Sequence, residues 1–329
     1  MKGLRKKVEF NIKDMLKENK PLPEKDRVLT LSDFFDLFAD FKREKKLLGL
    51  APRTLSDYDN HFKYLEEYLF TIQRFQRERY VDSALFNEYL TYLVLQKQYS
   101  PFTVNIRLRT LRAFLKWLNS NGHTAQDLSA KIKLVKVPQD TIKPLSDTQV
   151  RKLLSVIDTS IYVGLRDYTL TILFLDTGIR VGEAVQLKIQ DLDNGTIKVR
   201  GEIAKSRNYR IILISKRTGK LLVELSKISQ ANGEDSLFLS SVTGEAVDKL
   251  VIIKNFEKYG KKAAIETRCT PHVFRHTFAR NAVKKGIDIF TLQRILGHAD
   301  ISTTRKYIQL DTNDLIESHG KVDLLGDIF

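Results

Sequence analysis

Between Leu29 and Gly122 apolar residues recur at helical spacing in four successive runs. The first carries Phe34, Phe35, Leu37, Phe38 and Phe41, with Thr30 or Ser32 placed to cap it. Pro52 and Thr54 open the second, whose apolar face is Leu55, Tyr58, Phe62, Leu65 and Leu69. Asp82 opens the third, with Leu85, Tyr89, Leu90, Leu93 and Val94. Ser100-Pro101 opens the fourth, and its stripe is Val104, Leu108, Leu111, Leu115 and Leu118, at spacings of four, three, four and three. The pattern predicts an all-helical unit over 28–122. Trp117 reads as a core or interface residue of that unit.

The stretch 123–145 breaks the periodicity. Gly122, Pro138 and Pro144 punctuate it and Lys131, Lys133, Lys136 and Lys143 make it basic, so it reads as a linker. Ser146-x-x-Gln149 is a capping box, and Val150, Leu153, Leu154 and Ile157 follow at helical spacing, so a second unit begins there. Asp167 to Asp176 is nearly all apolar and predicts a buried helix stopped by Gly178. A helix with Arg180, Glu183, Ala184, Val185 and Leu187 follows at once. Strand signals come next at 196–200, 210–214 and 237–239, and Gly201 to Tyr209 forms a hairpin tip holding Lys205. Pro271 opens a helix over 271–280, and Asp288 to Leu296 another, ended by Gly297. Ser302 is placed to cap a short helix over 303–310 that carries Tyr307. The fold class is therefore α+β, mainly α with a small β-sheet.

Charge changes the picture from fold to partner. Lys and Arg number 55 against 40 acids, a formal net charge of +15 in 329 residues. Such a balance favours a polyanion, and nucleic acid before a membrane. One face of the fourth helix sharpens this: Asn105, Arg109, Arg112 and Lys116 share it, Arg107 adds charge, and no acid falls between Pro101 and Asn119. A solvated helix ordinarily mixes signs, so this face is a candidate for the phosphate backbone. Residues 1–27 hold nine Lys/Arg and five Asp/Glu and read as a basic arm. Residues 311–329 hold five acids and one lysine, with Leu315, Ile316, Leu324, Leu325, Ile328 and Phe329 as apolar contacts in search of a pocket. The single cysteine, Cys269, excludes an internal disulfide and fits a reducing compartment. The first twenty residues hold no apolar core of a signal peptide, and no run approaches the ~20 apolar residues of a span. A soluble, cytoplasmic protein without membrane contact is expected.

The candidate chemistry centres on Arg275. His272 and Arg275, three apart, project from one face of a helix that Phe274 and Phe278 anchor in a core. A cationic fork beside an imidazole on a rigid support suits a phosphate whose charge grows during reaction. His276 reads as a packing residue. No acidic cluster or His/Cys ligand spacing points to a metal, and no cofactor is implied.

Four stretches, "TGIRVGEAVQL", "AKSRNYRIILI", "PHVFRHTFA" and "LGHADISTTRKYIQL", carry Arg180, Lys205, His272, Arg275, His298 and Tyr307 in order. Their order and spacing, with Tyr307 nine residues after His298, resemble the tyrosine recombinase family, lambda-type integrases and Xer-like enzymes. The resemblance covers roughly 146–310, and 28–122 resembles the family's helical core-binding domain. It implies a two-domain DNA clamp that cleaves and rejoins strands through a 3′-phosphotyrosyl intermediate. In that scheme Tyr307 is the nucleophile and Arg180 and Arg275 fork the non-bridging oxygens. Lys205 protonates the leaving 5′-hydroxyl, His272 manages the tyrosine proton and His298 donates to the phosphate. Glu183 orients a basic group behind them. Arg207 and Arg210 stand near Lys205, so the choice of lysine rests on the family pattern, and Arg207 is counted as a DNA contact. The resemblance further implies double-stranded DNA with inverted-repeat core sites, a dimer per site and a homotetramer passing through a Holliday junction. An accessory DNA-bending or directionality protein is a further partner of this scheme. Integration or excision of a mobile element and Xer-like resolution both fit. So, less well, do a type I topoisomerase with the same residues and a catalytically silent architectural DNA-binding protein.

Overall fold

In the computed structural model residues 29–137, 143–204 and 208–305 are described, with 305 described in its backbone alone. The arm 1–27, Lys205, Arg207, Tyr307 and the tail 311–329 lie outside the described residues. The chain divides between Gln139 and Asp140 into two compact units.

The first unit is built from α1 (Leu31–Leu47), α2 (Pro52–Glu66), α3 (Ser83–Thr91) and α4 (Pro101–Ser120). Thr30, not Ser32, caps α1, in a reciprocal box with Asp33. Asp82 caps α3, and Ser100 caps α4 with Pro101 in its first turn. The helices close over an aromatic core in which Phe34, Phe41 and Phe114 are fully buried and the rings of Phe38 and Phe62 stack with centroids 3.5 Å apart. Trp117 is buried in this core and its indole N–H donates to Glu44 at 2.8 Å.

The stretch expected to be a linker begins as part of this unit. A 3-10 turn, Leu128–Lys131, packs on α4, and Ile132 lies in the core with Leu128 and Val135 against it. Asn105 fixes it: its amide donates to the Val135 carbonyl at 2.7 Å and accepts from the Val135 N–H at 2.8 Å.

The second unit is organised around α6 (Tyr162–Thr177), on which α8 (Lys216–Ala231), α9 (Lys249–Lys262) and α10 (Pro271–Lys284) pack. The Ser146–Gln149 box starts α5 (Asp147–Ser155) as expected. Leu170, Leu173 and Phe174 of α6 are fully buried. So is a charged pair, Arg166 with Asp167, in which Asp167 also accepts from Asn255 and the Tyr259 hydroxyl. After α7 (Val181–Ala184) comes an antiparallel sheet in the order β1 (Leu192–Asp193), β2 (Thr196–Val199), β3 (Arg210–Leu213). Thr196 faces Leu213 and Val199 faces Arg210, with Ile197, Val199 and Ile212 turned to the core. The expected strand at 237–239 does not join the sheet; Leu239 makes one isolated bridge with Ala246. Helices α11 (Ile289–Leu296) and α12 (Ile301–Arg305) follow. The start of α12 is tied by Asp300, which accepts from the Ser302 N–H and hydroxyl, so Ser302 sits inside the helix rather than before it. Among the described residues no helix is long and apolar enough to cross a membrane.

Candidate active site

Two helix ends build the site. α6 stops at Gly178 and α11 at Gly297, both with φ of 63°, the left-handed conformation in which glycine carries no steric penalty. A Cβ on Gly178 would lie 2.5 Å from Phe278 and 2.8 Å from Leu296, so the two helices also need the missing side chain to meet α10. Stopped helices leave carbonyls without intrahelical donors, at the negative end of the helix dipole. Here guanidinium groups supply the donors. Arg275, on α10 and only 3% exposed, donates to the carbonyls of Gly178 and Leu296, the latter at 2.7 Å. Arg180, just before α7, donates to the carbonyl of Gly297 at 3.1 Å.

A buried carboxylate completes the frame. Glu183 is 1% exposed and receives Arg180 at 3.1 Å through the side chain and again through the backbone N–H. It also receives a two-toothed fork from Arg210, at 3.1 and 2.7 Å. Burial opposes its charge, but the hydrogen bond and field of Arg210, with Arg180 behind them, hold the carboxyl below its ordinary range. Arg210 opens β3, the strand that follows the Lys205 loop, so Glu183 ties that strand to the α7 arginine.

His298 stands in the same cluster. Arg275 Nη2 lies 2.8 Å from its Nε2, and its Nδ1 lies 2.8 Å from the Thr304 hydroxyl. A guanidinium only donates, so Nε2 accepts and the proton of the neutral ring sits on Nδ1, facing Thr304. Burial first, then Arg275, Arg180 and Arg210, push the His298 pKa down to about 3. His272 projects from α10 one turn before His276, and its Nε2 is 3.3 Å from that of His276. Desolvation, then Arg275 and Arg180, lower the His272 pKa as well. The frame is a set of cations around two imidazoles held in the uncharged state. It is arranged to receive an anion.

Residues 143–314 match the Phage integrase family, and residues 33–134 the Phage integrase SAM-like domain. The chain belongs to the phage integrase family. Among its relatives, the tyrosine recombinase XerD of Listeria innocua is 30% identical over 84% of this chain and 94% of its own length. The tyrosine recombinase XerA of Pyrococcus horikoshii is 31% identical over 89% and 95%. The fold is shared with the Tn1549 transposon integrase solved in complex with a circular intermediate DNA, at a TM-score of 0.71, with 19% identity over 89% of this chain and all of that one. The chain is thus a tyrosine-type site-specific recombinase, and an enzyme.

Of the six residues expected in this recombinase's centre, Arg180, His272, Arg275 and His298 are described, and Arg275 touches His298 directly while Arg180 is joined to the next residue back, Gly297. Glu183 accepts from two guanidinium groups, those of Arg180 and Arg210. In the sequence Arg210 stands only as a neighbour of Lys205. Its one signal is a place at the head of a strand, and nothing local could name Glu183 as its partner.

On α4 two of the expected DNA contacts are corrected. Asn105 is 2% exposed and is spent on Val135, because a buried amide must find partners and the passing backbone offers both. Arg107 is 8% exposed, with its guanidinium 4.2 Å from the ring centre of Tyr64 and 4.4 Å from that of Tyr99. Arg109 and Lys116 are exposed and Arg112 is half-buried, so the basic face is narrower than the sequence suggested.

The depressed His298 pKa has a consequence for the recombinase's stability. An unfolded imidazole takes up its proton near pH ~6.5, whereas the folded site refuses it until about 3. The contribution is complete above the first value and is lost as the pH falls through the interval. Acidification from about pH 7 to about pH 5 is expected to lower the thermal midpoint, and His298→Asn to flatten that fall. An equal fall in both proteins would assign it to other groups.

Proposed function

We propose that the chain cuts and rejoins double-stranded DNA at inverted-repeat core sites through a 3′-phosphotyrosyl bond made by Tyr307. The observation that carries this reading is the convergence of Arg180, Arg275 and His298, with His272 within their field, on a frame of capped helix ends. An anion entering the frame meets guanidinium forks already fixed in place, which is what stabilising a growing phosphoryl charge requires. Arg180 and Arg275 take the non-bridging oxygens. His272, kept neutral, accepts the phenol proton. Lys205 returns a proton to the departing 5′-oxygen. His298 turns to the phosphate once its tautomer changes, since in the free protein Nε2 accepts from Arg275. The energy of the broken bond stays in the phosphotyrosine, so no cofactor is needed and a second 5′-hydroxyl completes exchange. Four protomers, a dimer on each site, carry the reaction through a Holliday junction, in integration and excision of a mobile element or in Xer-like resolution.

The test is covalent trapping on nicked suicide duplexes that carry inverted-repeat sites. A denaturation-resistant adduct at a 3′-phosphate supports the reading. Specific binding without any adduct moves the chain to an architectural role.

The first unit, from residue 28 through the Val135 stretch, acts as the core-binding domain and 146–310 as the catalytic one, with 1–27 as a basic arm. Arg109, Arg112 and Lys116 bind phosphates. Replacing all three with glutamine is expected to make log affinity against log salt shallower by about 2–3, close to 0.9 for each phosphate no longer neutralised. An unchanged slope would place the DNA elsewhere. The tail 311–329 docks on a neighbouring protomer. A groove of about 940 Å³ beside His298, lined in part by Ile211, Leu213, Phe278 and Ile295, offers the apolar surface it needs. Truncation after Gly320, which removes Leu324, Leu325, Ile328 and Phe329, is expected to weaken tetramer assembly and disturb the order of strand cleavage. Unaltered assembly and order would remove the tail from that role.

A further inference from the structure

His298 is held from three sides. Its backbone N–H donates to the Gln293 carbonyl at 3.1 Å, and its own carbonyl accepts from the Gln293 side-chain amide at 3.0 Å, so α11 fixes the main chain. Arg275 Nη2 meets the ring at Nε2 and the Thr304 hydroxyl meets it at Nδ1, each at 2.8 Å. Thr304 is fully buried on α12, a helix whose start Asp300 ties through Ser302. Three residues further along stands Tyr307, at most roughly 11 Å of chain away. The group that meets His298 from behind and the proposed nucleophile therefore come from one stretch of chain. Burial, and then the neighbouring guanidinium groups, keep the ring uncharged with a pKa of about 3, so it has one proton for its two nitrogens.

We infer that Thr304 is the positioning residue of His298, holding the imidazole with Nε2 turned to the phosphate site in both of its tautomers. This rests on the role proposed above for His298. In the free protein Arg275 donates to Nε2, so the proton sits on Nδ1 and the Thr304 oxygen accepts it. To donate to a phosphate, His298 needs a proton on Nε2 instead: Nδ1 gives one up to solvent as Nε2 takes one, and the count is unchanged. Nδ1 then carries a lone pair. A carbonyl or carboxylate behind the ring would repel that lone pair, and a backbone N–H there would bar the first state. A hydroxyl accepts in one state and donates in the other by turning about its own C–O bond, so the ring stays in place through the change. Thr304→Val keeps the shape and removes the oxygen, and Nδ1 loses that partner in both states.

The experiment uses full-length protein in two arms. Single-turnover cleavage of the suicide duplex at saturating DNA compares wild type, Thr304→Val, Thr304→Ser, His298→Ala and the double variant Thr304→Val with His298→Ala. Thr304→Val is expected to cleave about 10–10²-fold more slowly, the factor that follows from removing one partner of a buried hydrogen bond. Thr304→Ser keeps the hydroxyl and restores most of the rate. In the His298→Ala background Thr304→Val is expected to cost less than about twofold, because its effect passes through the ring. A loss of equal size in both backgrounds makes Thr304 a packing residue and overturns the inference, as does a Thr304→Val rate within about threefold of wild type. If Thr304→Val does not fold, Thr304→Ala takes its place in the cycle. The second arm needs no DNA. Proton–nitrogen spectra of protein isotope-labelled in its six histidines, with His298 assigned by the loss of its signals in His298→Ala, are expected to show Nδ1 protonated and Nε2 bare in wild type and Thr304→Ser. The Nδ1 proton is expected to exchange with water faster in Thr304→Val. The opposite tautomer in wild type, or equal exchange in wild type and Thr304→Val, overturns the inference. A wild type that never cleaves refutes the recombinase mechanism, and the spectra still answer for the bond between Thr304 and His298.

Discussion

Tyr307→Phe is expected to abolish the covalent protein–DNA adduct while leaving specific binding within about twofold of wild type. The substitution removes one oxygen and keeps the ring, so shape and surface change little. In the proposed mechanism the lost oxygen is the atom that attacks phosphorus. A free phenol titrates near ~10, so it is a weak nucleophile until cations favour its phenolate, and in the proposed mechanism Arg180 and Arg275 supply that field. Tyr259 offers no replacement: burial first, then Asp167, push its pKa up to about 12, and its hydroxyl donates to that carboxylate. Tyr209 is exposed on the hairpin and remains the competitor to test. Denaturing gels of wild type and variant on one suicide duplex give the comparison. An adduct that survives in the variant assigns the nucleophile elsewhere, and mapping the linked peptide then names it.

Arg275→Lys is expected to lower single-turnover cleavage by about 10²–10³-fold, the range found when one preorganised donor to a developing oxyanion is removed. The guanidinium serves the carbonyls of Gly178 and Leu296 and the ring of His298 at once. An ammonium is a compact point charge on a flexible stem and cannot reproduce that planar fork. A buried carbonyl left without a donor costs roughly 1–3 kcal/mol, so the urea midpoint is expected to fall as well. The two effects separate cleanly. Cleavage measured at saturating DNA, under conditions where the variant is folded, reports the phosphate interaction alone. If that rate stays within about threefold of wild type, Arg275 is a strut between two helix ends and not a ligand of the reacting group.

Much of the fold was legible because its signals are local. A cap joins residues close in sequence: Asp82, Ser100, Ser146 and Asp288 start helices where they were expected, and of the two candidates Thr30 and Ser32 the first caps its helix. Gly178 and Gly297 stop helices because glycine adopts the left-handed turn without strain. Two long helices, Lys216–Ala231 and Lys249–Lys262, nevertheless escape a reading of the sequence: their apolar positions are diluted by lysines, and their caps, Ser215 and Asp248, stand among other polar residues. The short apolar run at 237–239 reads as a strand because burial and β-structure look alike over three residues.

By itself the sequence determined the α+β class, the helix starts and stops, the basic balance and the motif order that marks the family. Each of these is written in neighbours along the chain or in a fixed spacing. Only the tertiary structure decided which polar side chains face outward. Asn105 shares the helical period of Arg109 and Arg112, yet a passing backbone claims its amide. Arg107 sits between two rings, one of them from a different helix. Arg210 reaches Glu183 across 27 residues, and Arg275 reaches the ends of two helices that only packing brings together. A buried charge or amide must be satisfied, but the group that satisfies it is chosen by what folds over it, and that choice has no period in the sequence.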